Sequence, residues 1–202
     1  MLDEKANSYI LCVAFHGREA SLAYTDVSTG EFTVHLLHDY TAQLRDELTR
    51  IRPHEIVTGD EKLLSACLSE TVAVTELPAA ALERKKAEGV LCAHFAVASS
   101  SALGLEARDK RTIAAGALLY YLNETQKNSL AHITQLTCYQ GSDTMFLDRA
   151  TRRNLELTES LRSGERRGSL IWLLDHTQTA MGARLLRAWV EEPLVNRERI
   201  EA

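Results

Sequence analysis

The seven histidines and four cysteines of this 202-residue chain are the side chains that would bind a metal ion or act as nucleophiles. His35 and His38 lie three positions apart in a segment that is predicted to be extended. Their rings therefore point to opposite faces of a strand and cannot hold one ion together. No cysteines form a C-x-x-C pair, so we predict no metal ligand and interpret these as small buried residues of a reducing compartment: Cys12, Cys67, Cys92 and Cys138. A cysteine–histidine pair that meets only in the folded chain stays open as an alternative.

The arginines near the carboxyl end are the residues that would contact nucleic-acid phosphates. Arg149, Arg152 and Arg153 precede an apolar position in one predicted helix, and Arg184 and Arg187 flank the apolar face of another. Alternatively, these side chains pair with partner domains or with nearby acids, of which the candidates are Glu156, Glu159 and Asp175. We favour ion pairing, because residues 148–202 contain ten arginines against nine acidic residues, too small an excess for autonomous nucleic-acid binding.

Length and hydropathy limit the class of protein. The chain is long enough for one large domain, or for one domain and part of another. No apolar run approaches the roughly 20 residues that cross a bilayer, and the first residues lack the basic start and apolar core of a secretory signal. We therefore predict a soluble, cytoplasmic protein without membrane contact.

Three short apolar segments, separated by glycine-containing turns, begin the predicted fold at residues 9–15, 20–27 and 32–37. This pattern favours an antiparallel meander. The first segment is almost continuously apolar, which predicts a central strand that is covered on both faces.

Beyond residue 40 the apolar spacing becomes helical. Leu44, Leu48 and Ile51 recur at i, i+4 and i+7, so residues 41–52 form a predicted helix with Thr41 as its N-cap. Short strands at 55–58 and 71–75 enclose a helix at about 61–70, and another helix covers 109–126, where the small residues 114–117 would allow close approach of a second element. The order β-β-β-α-β-α-β predicts an α/β fold with a mixed five-stranded sheet and flanking helices.

The last third is predicted to be helical over residues 148–161, 169–175 and 180–190, and Thr179 is the expected cap of the third helix. These helices are too few to enclose a core independently. We therefore interpret them as an incomplete all-α segment that ends at a cut edge.

Three ordered motifs in this helical part carry a family resemblance. They are D-R-A-T-R-R-N-L-E-L at residues 148–157, G-S-L-I-W-L-L-D at 168–175 and T-A-M-G-A-R-L-L-R at 179–187. Upstream, T-Q-K-N-S-L-A-H-I at 125–133 and D-V-S-T-G-E-F at 26–32 add two more. Together they make the chain resemble the MutS family of DNA mismatch-repair proteins, closely from residue 109 onward and more loosely over 40–108.

The resemblance implies two parts. Residues 1–130 would be the connector domain of the family, whose RNase H-like fold agrees with the mixed sheet predicted above. Residues 131–202 would be a linker and the truncated first helices of the lever, or core, domain. The resemblance therefore implies a non-catalytic scaffold that communicates between the other MutS domains.

Two family motifs are missing from this sequence. It contains neither the Phe-x-Glu motif that reads mismatches nor a G-x-x-x-x-G-K-[ST] loop for nucleotide phosphates. The intact protein is expected to bind mismatched duplex DNA and to hydrolyse ATP with magnesium. This chain is expected to have no catalytic, cofactor-binding or metal-binding residue and to bind DNA weakly or not at all.

An RNase H-like fold raises the alternative of a stand-alone nucleic-acid-binding domain or nuclease. Such nucleases hold two metal ions with several carboxylates, one of them on the first strand. Residues 9–15 contain no carboxylate, and Asp26 and Asp60 alone cannot build that site. We therefore predict no nuclease activity.

The resemblance also implies contact with the repair partner MutL. The candidate surface is a charged segment, although an ordinary solvated helix face explains it equally well; its residues are Glu83, Arg84, Lys85, Lys86 and Glu88. The candidate residues for packing between domains are Arg152, Arg153 and Asn154.

Overall fold

The computed structural model describes residues 8–68, 71–126, 130–139, 145, 147, 149–191 and 193–201. Its contacts divide the chain into two compact units. The first unit is Ser8–Tyr139, and the second includes residues 140–202.

A mixed six-stranded sheet forms the centre of the first unit. Its strands are β1 (Tyr9–His16), β2 (Glu19–Asp26), β3 (Glu31–Leu37), β4 (Glu55–Thr58), β5 (Ala73–Glu76) and β6 (Thr137–Cys138). Their order across the sheet is β5-β4-β1-β2-β3-β6. The first three strands form the predicted antiparallel meander, whereas β4, β5 and β6 each pair in parallel.

The position of β1 confirms the prediction from its continuous apolar character. This strand lies between β2 and β4, and its side chains alternate between two cores. Ile10 and Cys12 belong to one core, and Leu11 and Val13 belong to the other. A strand buried on both faces has no need for polar alternation, which explains why its sequence has none.

Four helices cover the two faces of this sheet. They are α1 (Tyr40–Ile51), α2 (Glu61–Ser65), α3 (Arg84–Phe95) and α4 (Arg111–Thr125). The buried side chains of α1 and α2 join the core that contains Leu11, and those of α3 and α4 join the core that contains Ile10. The first unit is therefore a three-layer α/β fold, and its class agrees with the prediction.

Details of this unit differ from the sequence prediction. The predicted sheet has five strands, but the two residues of β6 add a sixth, which is too short to show any periodicity. Residues 131–139, which the sequence prediction places in the linker, belong to the same compact unit as the sheet. Asp39 rather than Thr41 occupies the N-cap of α1, and the Thr41 hydroxyl donates to Asp39 Oδ1 at 2.6 Å.

The second unit contains the helices α5 (Arg149–Asn154), α6 (Leu170–Leu174), α7 (Ala180–Glu191) and α8 (Arg197–Glu201). The prediction of one helix over 148–161 is wrong, because α5 ends at Asn154 and Glu156 has a left-handed backbone conformation with a φ of 48°. The carbonyls of Glu156 and Leu157 accept hydrogen bonds from the amides of Leu170 and Ile171, both at 2.9 Å. The apolar residues of 148–161 therefore belong to a short helix and a following turn, and this turn is hydrogen-bonded to the beginning of α6.

The cap of α7 confirms the prediction, and α6 has a cap of the same kind. The Ser169 hydroxyl accepts from Trp172 N at 3.3 Å, and the Thr179 hydroxyl accepts from Gly182 N at 3.0 Å. Among the helices in the described ranges, none is long and apolar enough to cross a membrane.

Candidate functional site

The exposed part of the predicted partner surface lies at the beginning of α3. Glu83, Lys85 and Lys86 are exposed to solvent. The Lys86 ammonium lies 4.6 Å from the centroid of the Tyr120 ring, a cation–π contact with the neighbouring helix α4. Glu83 and Lys85 are therefore the exposed side chains of this surface that lie outside the contact with Tyr120.

The other two residues of this surface face the protein. Arg84 is half-buried, and its Nη1 donates to the Asp109 carbonyl at 3.2 Å. Glu88 Oε1 accepts from the Ser100 hydroxyl at 2.8 Å. These contacts link α3 to the segments before α4, so substitution of Arg84 or Glu88 would disturb the fold as well as any partner.

The three candidate packing residues lie together at the end of α5. Arg152 Nε donates to the Leu147 carbonyl at 2.8 Å, which ties the helix to the preceding segment. Arg153 and Asn154 are exposed. Arg152 therefore has a local structural contact, and the other two side chains face solvent within the second unit.

An ion pair that the sequence did not assign stabilises the loop around α6. Arg166 Nη2 bonds to Asp175 Oδ2, and the Thr177 hydroxyl and amide donate to Asp175 Oδ1 at 2.5 and 3.0 Å. The hydrogen bonds from Thr177, followed by that from Arg166, lower the pKa of the Asp175 carboxyl. Asp175 does pair with an arginine, but the partner lies in the charged loop rather than on a helix.

The carboxylates that a nuclease would need have structural contacts instead. Asp26 is buried at the end of β2 and accepts from the amide and hydroxyl of Ser28 at 2.9 and 2.6 Å. Asp60 caps α2 through Leu63 N at 2.9 Å. Across the part of the chain that the structure describes, no group of three or more His, Cys, Asp or Glu side chains could hold a metal ion.

All four cysteines are free thiols, but only Cys12 is fully buried. Burial raises the pKa of the Cys12 thiol to about 12, and it also raises the pKa values of the thiols of Cys67, Cys92 and Cys138. Nucleophilic cysteines need a lowered pKa, so these environments favour the thiol over the reactive thiolate.

A buried ionic cluster between α1 and the sheet is absent from the sequence prediction. Glu47 Oε2 accepts from Arg50 Nε at 2.9 Å and from Arg50 Nη2 at 2.7 Å, and these side chains are only 5% and 7% exposed. His35 Nδ1 lies 3.6 Å from the same oxygen. Arg50 Nη2 also donates to the Tyr24 hydroxyl at 3.3 Å. We call these residues, together with Tyr139, the Arg50 cluster.

Electrostatics in the Arg50 cluster favour the charged form of its acid. Burial of Glu47 opposes ionisation by desolvation, but His35 and Arg50 outweigh it and lower the pKa of this carboxyl to about 2. The helical spacing gave a signal that could have identified the site. Glu47 lies three residues after Leu44 and four before Ile51, so the spacing alone predicts that this carboxylate lies on the apolar face of α1.

Tyr139 connects the Arg50 cluster to the exit segment, residues 130–139, through which the chain leaves the sheet. The Arg50 guanidinium carbon lies 4.8 Å from the centroid of the Tyr139 ring. The His35 and Tyr139 rings meet edge to face at 4.6 Å. The Tyr139 amide donates to the Val34 carbonyl at 2.8 Å, just beyond β6.

The beginning of the exit segment is held by different contacts. Leu130 and Ile133 are buried in the core that α3 and α4 cover. His94 Nε2 lies 2.9 Å from the Ile133 carbonyl, and His132 Nε2 bonds to the Val27 carbonyl. The exit segment is therefore attached to the sheet unit at both of its ends.

Two family models match successive parts of the chain. Residues 8–134 match the model described as MutS domain II, and residues 150–202 match MutS domain III. The first match covers most of the sheet unit, and the second covers the helices of the second unit.

Whole-chain similarity gives the same result. The chain is 40% identical over 209 aligned residues to "DNA mismatch repair protein MutS" of Symbiobacterium thermophilum, and 39% identical over 207 to that of Lachnoclostridium phytofermentans. The protein of the same name from Myxococcus xanthus is 38% identical over 209 residues. Each alignment covers 100% of this chain but only 24%, 22% and 23% of the respective relative, so the chain spans about a quarter of their length.

Proposed function

This chain belongs to the MutS family, and from that premise we propose that it is a non-catalytic scaffold which relates other MutS domains to one another in mismatch repair. Residues 8–134 would serve as the connector and residues 150–202 as the beginning of the lever. The observation that carries this proposal is the two consecutive domain matches. Between them, residues 137–139 bond to β3 of the sheet.

The activities of a longer protein are part of the same proposal. A full-length member containing this chain would bind mismatched duplex DNA, hydrolyse ATP with magnesium and recruit MutL in the cytoplasm. The chain itself would contribute positioning rather than chemistry. In support, Asp26 at the end of β2 and Asp60 at the N-cap of α2 accept hydrogen bonds from neighbouring amide and hydroxyl groups.

The candidate MutL-contact surface is part of this proposal. Its core would be Lys85, because that side chain is exposed and the adjacent Arg84 and Glu88 are engaged in internal hydrogen bonds. Lys86 would contribute from its position over Tyr120. A rim charge of this kind mainly affects association rate and salt dependence.

The scaffold proposal is tested with the purified chain and labelled DNA. Matched duplex, single-mismatch duplex and RNA–DNA hybrid are each incubated with magnesium or manganese, and binding and cleavage are followed in parallel. We expect no cleavage and equal, weak binding to matched and mismatched duplexes. Metal-dependent cleavage, or a preference for the mismatch, would contradict the proposal and favour a stand-alone nuclease or nucleic-acid-binding domain.

The MutL surface is tested by charge reversal at exposed lysines. Lys85→Glu is compared with Lys62→Glu, which makes the same charge change on α2, over the opposite face of the sheet. Binding of each variant to immobilised MutL from the same organism is measured at two salt concentrations. We expect Lys85→Glu to weaken binding by about tenfold at low salt and Lys62→Glu to leave it unchanged. Equal binding by both variants would remove α3 from the interface.

A further inference from the structure

We propose that Arg50 is a positioning residue whose guanidinium holds the Tyr139 ring and thereby fixes the point at which the chain leaves the sheet unit. The two groups lie 4.8 Å apart, between α1 and the edge of the sheet. This inference rests on the proposed scaffold function, because a scaffold transmits position only if its exit point is fixed.

The pairing of β6 is too short to hold the exit segment alone. Among the residues that the structure describes, Thr137 and Cys138 pair with β3, opposite Thr33 and Val34. One further backbone bond, from the Tyr139 amide to Val34, follows at 2.8 Å. Short edge pairings open easily, since few hydrogen bonds and little buried surface oppose fraying. Leu136 and Cys138 pack against the core that α3 and α4 cover, and Tyr139 adds a side-chain contact where this short pairing ends.

Glu47 orients Arg50 for this contact. Two N–H groups of its guanidinium donate to Glu47, three residues earlier on the same helix, which fixes the orientation of the planar group. The guanidinium stays charged at all accessible pH values, and its side chain is 93% buried. A desolvated cation attracts an aromatic face more strongly than an exposed one, so the Tyr139 ring meets a rigid, water-excluded partner.

The cost of burying this ion pair argues for positioning rather than stability. Hydrophobic side chains of similar volume commonly replace a buried ion pair without loss of stability. The Arg50 cluster differs from such a pair because its cation contacts groups from separate elements: Tyr24 on β2 and Tyr139 after β6. Arg50 consequently ties α1 to the end of the exit segment, and a shift of one is communicated to the other.

The test is hydrogen exchange of individual backbone amides in the full 202-residue chain. Tyr139→Leu removes the ring but keeps an apolar side chain, and Tyr139→Phe is the matched control that keeps the ring. The double variant Glu47→Leu/Arg50→Met removes the buried charges together, so no unpaired charge is left in the core. Exposed Arg45 on the same helix supplies a second control, Arg45→Met.

We expect the Tyr139 amide to exchange about tenfold faster in Tyr139→Leu and in the double variant, while amides of β1 and β2 keep their wild-type rates. Tyr139→Phe and Arg45→Met should match the wild type at every site. A wild-type exchange rate at residue 139 in Tyr139→Leu would refute the proposed role of the Arg50–Tyr139 contact. Equally accelerated exchange throughout the sheet would refute it as well. These outcomes leave the scaffold proposal untouched, whereas cleavage or mismatch preference would refute the scaffold independently.

Discussion

Replacement of Gly116 by alanine provides a quantitative test of how closely α3 and α4 pack against each other. A Cβ added at Gly116 in α4 would lie 2.1 Å from the carbonyl oxygen of Ala87 and 2.4 Å from its carbonyl carbon. Both are backbone atoms of α3, so no side-chain rotation relieves the overlap. Since ordinary contacts begin near 3.4 Å, α3 and α4 would have to separate by about 1 Å.

The expected change in unfolding free energy follows from two opposing effects. Overpacking a tight interface costs about 3 kcal/mol when the backbone must move. The higher helix propensity of alanine returns about 1 kcal/mol. We therefore expect Gly116→Ala to be less stable than the wild type by about 2 kcal/mol.

Gly89 is the matched control, because it lies within α3, is exposed, and has no heavy atom within 4 Å of an added Cβ. Gly89→Ala should stabilise the chain by about 1 kcal/mol. Both variants are measured by urea unfolding followed by far-ultraviolet circular dichroism. Equal stability of the two variants would refute the close approach of α3 and α4.

Three further predictions concern single side chains. The pKa of Glu47 is about 2 in the folded chain against an ordinary 4.5, so its pairing stabilises the fold above pH 4.5 and this contribution is lost as the pH falls through 2. The free energy of unfolding, measured as a function of pH, should therefore lose a pH-dependent part on the order of 3 kcal/mol in Glu47→Gln. Gly30→Ala places a methyl group 2.6 Å from a backbone carbonyl at a φ of 78°, whereas Gly17→Ala at 71° meets no atom, so the melting temperature should fall further for Gly30→Ala. Ser169→Ala removes the cap of α6 and should cost about 1 kcal/mol, measured by tryptophan fluorescence during unfolding.

The sequence predicts elements that depend on local patterns. The meander follows from three apolar segments with tight turns, and the close helix contact follows from the small residues around Gly116. Thr179 caps α7 as expected. In each case the residues that determine the structure lie within a few positions of one another, and a single sequence therefore contains the necessary information.

The errors arise where distant residues determine the structure. Two residues of β6 form a strand only because β3 offers an edge about a hundred positions earlier. The turn at Glu156 forms because α6 returns to bond with it. Helical spacing alone could have identified Glu47 as a buried acid, but the contact between Arg50 and Tyr139 forms only in the folded sheet. The candidate surface on α3 was located by its charges, but the inward contacts of Arg84 and Glu88 depend on tertiary structure.

The wide separation of β3 and β6 in the chain also sets an order of assembly. Contacts between residues 33 and 137 close a loop of about a hundred residues, whereas the meander needs only residues 9–37. During synthesis the meander can form long before the last strand emerges from the ribosome. At a synthesis rate of about 5–20 residues per second, the outer edge of β3 stays unpaired for on the order of 5–20 s before β6 is synthesised. A nascent chain in that interval presents an uncovered strand, which is the kind of surface that holdase chaperones protect.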